Sequence, residues 1–166
     1  VVFNNLEVRN GKSSTAAFLR LDAGASINVT DVVFRNMTAQ GSSAVIVQAT
    51  GSTQSSSHLE RVTFVDCKAG QAGTSVLRLN DPLDWVIEDV AFLNCSSTAD
   101  GVAYYPVSVH STSSAISATS LTLGGNITFV ADTITATVYS AIYVTSVGSL
   151  PITILSKADN PSIISI

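Results

Sequence analysis

The chain of 166 residues is 46% hydrophobic and 12% charged, with a formal net charge of −4. That length buries a core in one domain without several disulfides or a metal, and the scattered Lys and Arg lack the clustering that phosphate contacts need, which argues against a nucleic-acid partner. No apolar run approaches the ~18 residues of a membrane span, and Ser and Thr, about a quarter of the residues, take over from charge in keeping the surface hydrated.

The opening "VVFNNLEVRN" has no basic segment followed by an apolar one, so the reading is of a chain whose leader was removed or of an excerpt of something longer. Its first apolar element, Phe3/Leu6/Val8, introduces a spacing that recurs: apolar, two any, apolar, one any, apolar. Copies follow at Val29/Val32/Phe34, Leu59/Val62/Phe64, Ile87/Val90/Phe92 and, more weakly, Ala118/Leu121/Leu123. Their last residues lie 26, 30, 28 and 31 positions apart. After each copy comes a second apolar strand, at Leu19/Leu21, Val45/Val47, Leu77/Leu79, Val107/Val109 and Ile142/Val144. Beyond them a weak sixth match, Val147/Leu150/Ile152, continues the pattern.

Period-two alternation, abundant Val, Ile and Thr, and Gly/Ser/Asn-rich separators predict strands and no amphipathic helix. A repeat in the high twenties made of short strands predicts an all-β fold, a parallel β-helix (solenoid) of about five coils. Each coil then buries its inward face only against its neighbours. Residues 1–125 carry the repeats, and residues 126–166 are expected as less regular strands that continue or cap the solenoid within a single domain. The alternative fold is a β-sandwich, which strands of this length also permit. Apolar, uncapped ends at Phe3 and "PSIISI" are the edges where further chain would add.

The stretches "VVFRNMTAQGSSAVIV", "VTFVDCKAGQAGTSVLRL" and "VAFLNCSSTADGVAYY" resemble the repeats of pectin-lyase-like right-handed β-helices, especially the chlamydial polymorphic outer membrane protein type. That type carries a Phe-x-x-Asn box and a Gly-Gly-Ala-Ile box. Here Phe34-Arg-Asn36 is one residue shorter, and Gly41-Ser-Ser-Ala44 and Gly101-Val-Ala103 only approximate the second box. The resemblance implies a right-handed β-helix and says little about activity, because that fold hosts lyases, hydrolases, adhesins and structural proteins.

Several constellations are candidates for chemistry. Asn28, Asn36, Asn94 and Asn126 each begin a glycosylation sequon. Asn10, Asn36, Asp66, Asn94 and Gly125 stand two positions after the last apolar residue of successive copies, which predicts a stacked Asn/Asp ladder satisfying otherwise buried polar groups. Cys67 and Cys95 follow at equivalent positions, either as a disulfide or as two stacked thiols. Asp31, Glu60, Glu88 and Asp89, with Arg61, form a charged column that solvates a sheet face or, less simply, binds polysaccharide or calcium.

His58 and His110 read as solvated residues in Ser-rich connections, without metal-ligand spacing. None of the serines sits in a Gly-x-Ser-x-Gly elbow. Thr133, Thr135 and Thr137 read as an ordinary strand, and Tyr104, Tyr105, Tyr139 and Tyr143 as sugar-stacking rings or as packing under loops. The functional expectation is a non-enzymatic, structural glycoprotein module of a cell surface or extracellular matrix, N-glycosylated, without metal or other cofactor, self-associating end to end or by strand addition. The alternative is a carbohydrate-binding or carbohydrate-active β-helix, a lyase or hydrolase acting on a polysaccharide partner.

Overall fold

The computed structural model describes residues 1–13, 18–22, 25–39, 45–48, 56–69, 76–80, 84–97, 105–111, 121–130, 142–146, 152–155 and 163–165. Among them every regular element is a strand, and every strand pair is parallel. The antiparallel neighbours that a β-sandwich requires do not occur in these pairs. No described helix is long and apolar enough to cross a membrane.

Three sheets share the strands. The largest takes Val2–Arg9, Asn28–Arg35 and Ser57–Val65, and then, as broken pairs, Trp85–Glu88 with Ala91–Leu93, Leu121–Gly124 with Asn126–Val130, and Ile152–Leu155 with Ile163–Ser165. A second sheet holds the two-residue strands Lys12–Ser13, Thr38–Ala39, Lys68–Ala69 and Ser96–Ser97. The third holds Leu19–Leu21, Ile46–Gln48, Leu77–Asn80, Val107–Ser111 and Ile142–Ser146. Through the first four tiers the chain visits the three sheets in this fixed order.

The recurring spacing has a local cause. In "Val29-Thr30-Asp31-Val32" strict alternation would aim Val29 and Val32 at opposite faces. Asp31 instead takes a left-handed conformation (φ 55°), turning the strand so that both valines are buried. Asn5, Arg61 and Asp89 repeat this corner, and Gly125 takes it in the next tier. A second corner of the same type follows the aromatic position, at Asn10, Asn36, Asp66 and Asn94. Asn, Asp and Gly tolerate this region at least cost, which is why they recur there.

Between the corners the inward side chains stack in register. Phe34, Phe64, Phe92 and Phe129 form one column, with ring centroids 5.1, 5.0 and 5.2 Å apart and planes within 10° of parallel. Val29, Leu59, Ile87 and Leu123 form another, and Leu77, Val107 and Ile142 line the third sheet. Trp85 is fully buried against the same core.

Register corrects the repeat in three places. The fourth aromatic rung is Phe129, while Leu123 pairs with Ile87; the expected Ala118/Leu121/Leu123 copy is in fact Leu123/Ile127/Phe129 with one residue inserted at its corner. In the second tier Ile46 and Gln48, not Val45 and Val47, align with Leu19 and Leu21, although Val45 is buried as well. Ile152 pairs with Leu121 and not with an aromatic rung, while Val147 and Leu150 lie outside the described residues. On either side of Gly125 the tier continues the stack, Leu121–Gly124 pairing with Trp85–Glu88 and Asn126–Val130 with Ala91–Leu93.

Candidate functional site

The outward chemistry gathers at the two corner columns of the large sheet. The column of Asn10, Asn36, Asp66 and Asn94 was expected to point inward, and it does not. Asn10, Asn36 and Asn94 are exposed and Asp66 is half-buried, because the left-handed corner gives the inward places on either side to Phe34 and Met37 and to their counterparts. Its rungs are lateral hydrogen bonds on the outside. Asn36 Nδ2 donates to Asn10 Oδ1 at 3.3 Å, and Asn94 Nδ2 donates to Asp66 Oδ1 at 2.7 Å, the shorter bond going to the charged acceptor. Gly125 is not a rung of this column; it belongs to the other corner.

The expected file of Asp31, Glu60, Glu88 and Asp89 divides into two neighbouring files. Glu60 and Glu88 pair in register on the strands, whereas Asp31 and Asp89 sit at corners with the Arg61 corner between their tiers. Among the described corner residues Arg61 alone is neither Asn, Asp nor Gly, and its guanidinium explains its presence. It grips Asp31 through Nε and Nη2 at 2.6 and 2.9 Å and also bonds Glu60. The hydrogen bonds from Arg61 hold the Asp31 carboxyl below the usual carboxylate range, and the same contacts push Arg61 up.

A glycosidase acid needs the opposite perturbation, a carboxyl kept protonated by burial or by a like charge. Around this grip the charges also pair. Arg35 Nε lies 3.0 Å from Glu7 Oε1, and His58 Nε2 approaches Glu88 Oε2 to 3.5 Å, an ion-pair distance without hydrogen-bond alignment. Asp89 Oδ1 accepts the Asn126 backbone N–H at 2.8 Å, across Gly125.

Both histidines lie on strands and not in connections: His58 on Ser57–Val65 and His110 on Val107–Ser111. His110 shares an outer face with Ser108, which is fully buried, and its Nδ1 is 2.9 Å from Thr145 Oγ1. Burial, and then the charge of Arg78, lowers the His110 pKa and favours the neutral ring. Tyr105 and Tyr143 stack on each other at 4.3 Å, which takes one face of each ring from any sugar. Tyr104, Tyr139, Thr133, Thr135 and Thr137 lie outside the described residues. Among the described residues no three His, Cys, Asp or Glu side chains converge as metal ligands.

Cys67 and Cys95 do stack, but as free buried thiols; the bridge left open by the sequence is not formed. Each sulfur is satisfied by carbonyls, Cys67 Sγ donating to Phe34 O at 3.4 Å and Cys95 Sγ to Phe64 O at 3.5 Å. The hydrogen bond to Cys67, and then burial, push the Cys95 thiol well above its ordinary range. A thiolate is the reactive form. The same contact lowers the Cys67 pKa, so burial in the core is what protects that thiol. Ellman's reagent is expected to find no reactive thiol in the folded protein and two in guanidinium; rapid labelling of either before unfolding would contradict the stacked, buried arrangement.

What the sequence missed here is the Arg61 grip. Its only signal was a cation at a corner position that neighbouring copies give to Asp31 and Asp89. Set beside known proteins, the chain has no match: no family model, no curated protein and no solved structure pairs with it.

Proposed function

We propose that the chain is a structural module of an extracellular or cell-surface glycoprotein, built as a right-handed parallel β-helix of the pectin-lyase-like kind. The observation that carries this reading is the register. All described strands pair in parallel with their counterparts one repeat away, and like side chains stack on like, from the four-phenylalanine column to the outer Asn/Asp rungs. Such a stack gains stability with each tier added, because each tier buries its face on the next. Val2–Arg9 exposes Val2 and Leu6, and a further strand of any origin laid along it would extend the same columns.

The outer charges favour a scaffold over a catalyst. At the corners Asp31 is tied to Arg61, Asp89 to the Asn126 backbone N–H and Asp66 to the Asn94 amide, and Glu7 is tied to Arg35. Four exposed sequon asparagines suit a surface with little charge of its own. Electron microscopy of the secreted protein, with intact mass before and after enzymatic removal of N-glycans, tests the reading. Rods or fibres that carry sugar are the expected result. A monodisperse, sugar-free particle that shortens a polyuronide would replace it with the carbohydrate-active alternative.

A further inference from the structure

Exposure does not tell the four sequon asparagines apart, since Asn28, Asn36, Asn94 and Asn126 all face solvent. Hydrogen bonding and backbone conformation do. Asn36 and Asn94 stand at left-handed corners (φ 53° and 52°), and the amide nitrogen that would carry a sugar is in each case already a donor to the neighbouring rung, Asn10 Oδ1 or Asp66 Oδ1. Their side chains therefore run along the stack, between tiers that parallel pairing sets roughly 4.8 Å apart. A pyranose attached there would have to fit against the adjacent rung or break it.

Asn28 and Asn126 differ in both respects. Each opens a strand of the large sheet, Asn28–Arg35 and Asn126–Val130, where an outward side chain stands off the sheet into water. At Asn28 the oxygen is engaged, accepting from Thr30 Oγ1 at 3.3 Å, and among the described residues Nδ2 has no partner. At Asn126 the backbone N–H donates to Asp89, and among the described residues the side-chain amide has no partner.

We infer that the folded chain is N-glycosylated at Asn28 and Asn126 and bare at Asn36 and Asn94. This rests on the glycoprotein reading above and adds a division of labour. Two sequons face the outer sheet with sugar, and two serve as rungs. A sugar on Asn36 or Asn94 would leave Nδ2 a single hydrogen and set a pyranose against the adjacent rung, so the folded, secreted population is the one without it.

The test is the full chain expressed through a eukaryotic secretory pathway and selected for resistance to brief proteolysis. It is then released from its glycans by peptide-N-glycosidase in heavy-oxygen water, which converts each glycosylated Asn to a mass-labelled Asp, and mapped by peptide mass spectrometry. Label at Asn28 and Asn126 alone is expected. Label at Asn36 or Asn94 in the resistant protein would overturn the division while leaving the glycoprotein reading intact. Absence of label at all four, from a chain that is secreted and folded, would overturn that reading and this inference together.

Discussion

Replacing Phe64 by Ala should destabilise the protein by about 3–5 kcal/mol, the usual range for deleting a buried aromatic ring. Phe64 lies inside the column, with Phe34 5.1 Å away on one side and Phe92 5.0 Å away on the other, both rings nearly parallel to it. Its removal loses transfer energy, opens a cavity between two fully packed tiers, and breaks two aromatic contacts worth roughly 0.5–1.5 kcal/mol each. Parallel pairing leaves the backbone little freedom to close that space, because the tier spacing is set by hydrogen bonds on every side of it.

The control is Phe18→Ala. Phe18 meets Phe34 edge-on at 6.3 Å and is 44% exposed, so its loss should cost less than half as much. Urea unfolding of both variants, compared at equal m-value, measures the difference. Equal losses would mean that the phenylalanine column is not the core of the stack.

How much of this was legible follows from where the alternation is strict. The triplets at Phe3, Val29, Leu59 and Ile87 align in the sequence because one polar pair always separates the first two apolar residues, and the structure places them in register. The fifth copy escapes the template because Gly124-Gly125-Asn126 puts three residues, not two, between Leu123 and Ile127, although the corner still returns Ile127 and Phe129 to the core. Val45-Ile46-Val47 misled for a different reason: three apolar residues in a row carry no parity, so only pairing with Leu19 and Leu77 fixes Ile46 as the stacked position.

The Asn/Asp column was found but turned the wrong way. Sequence shows that Asn36 lies two residues after Phe34, which under plain alternation means the same, inward, face. The left-handed φ at Asn36 reverses that, and nothing but the recurrence of Asn and Asp at the site signals it. The same property explains why Asp31 and Asp89 line one outer corner. What could not be read at all is the pairing of particular charges, such as Arg61 with Asp31 one tier away, since it depends on a register that the sequence leaves open by a residue or two.

The inserted residue at the fifth corner yields the second large effect, in the variant Gly125→Ala. Gly125 has φ 62°, and a Cβ there would lie 2.0 Å from Asp89 Oδ1. The substitution pays about 1–2 kcal/mol for the left-handed conformation of a residue with a side chain. It also pushes the Asp89 carboxylate off the Asn126 N–H, a charged hydrogen bond worth roughly 1.5–3 kcal/mol. Together they predict a loss of about 3 kcal/mol by urea or thermal unfolding. Because both substitutions break the same bond, Gly125→Ala and Asp89→Ala should not add. Their double variant is expected to fall short of the sum by at least about 1 kcal/mol, the size of coupling found for residues that share a contact. Pairing Asp89→Ala with Gly125→Asn should recover more, since Asn36 and Asn94 already hold that conformation in this chain and the carboxylate that Asn would strike is gone. If instead the losses add in full, the carboxylate and the glycine act independently, and the corner is held by its backbone alone.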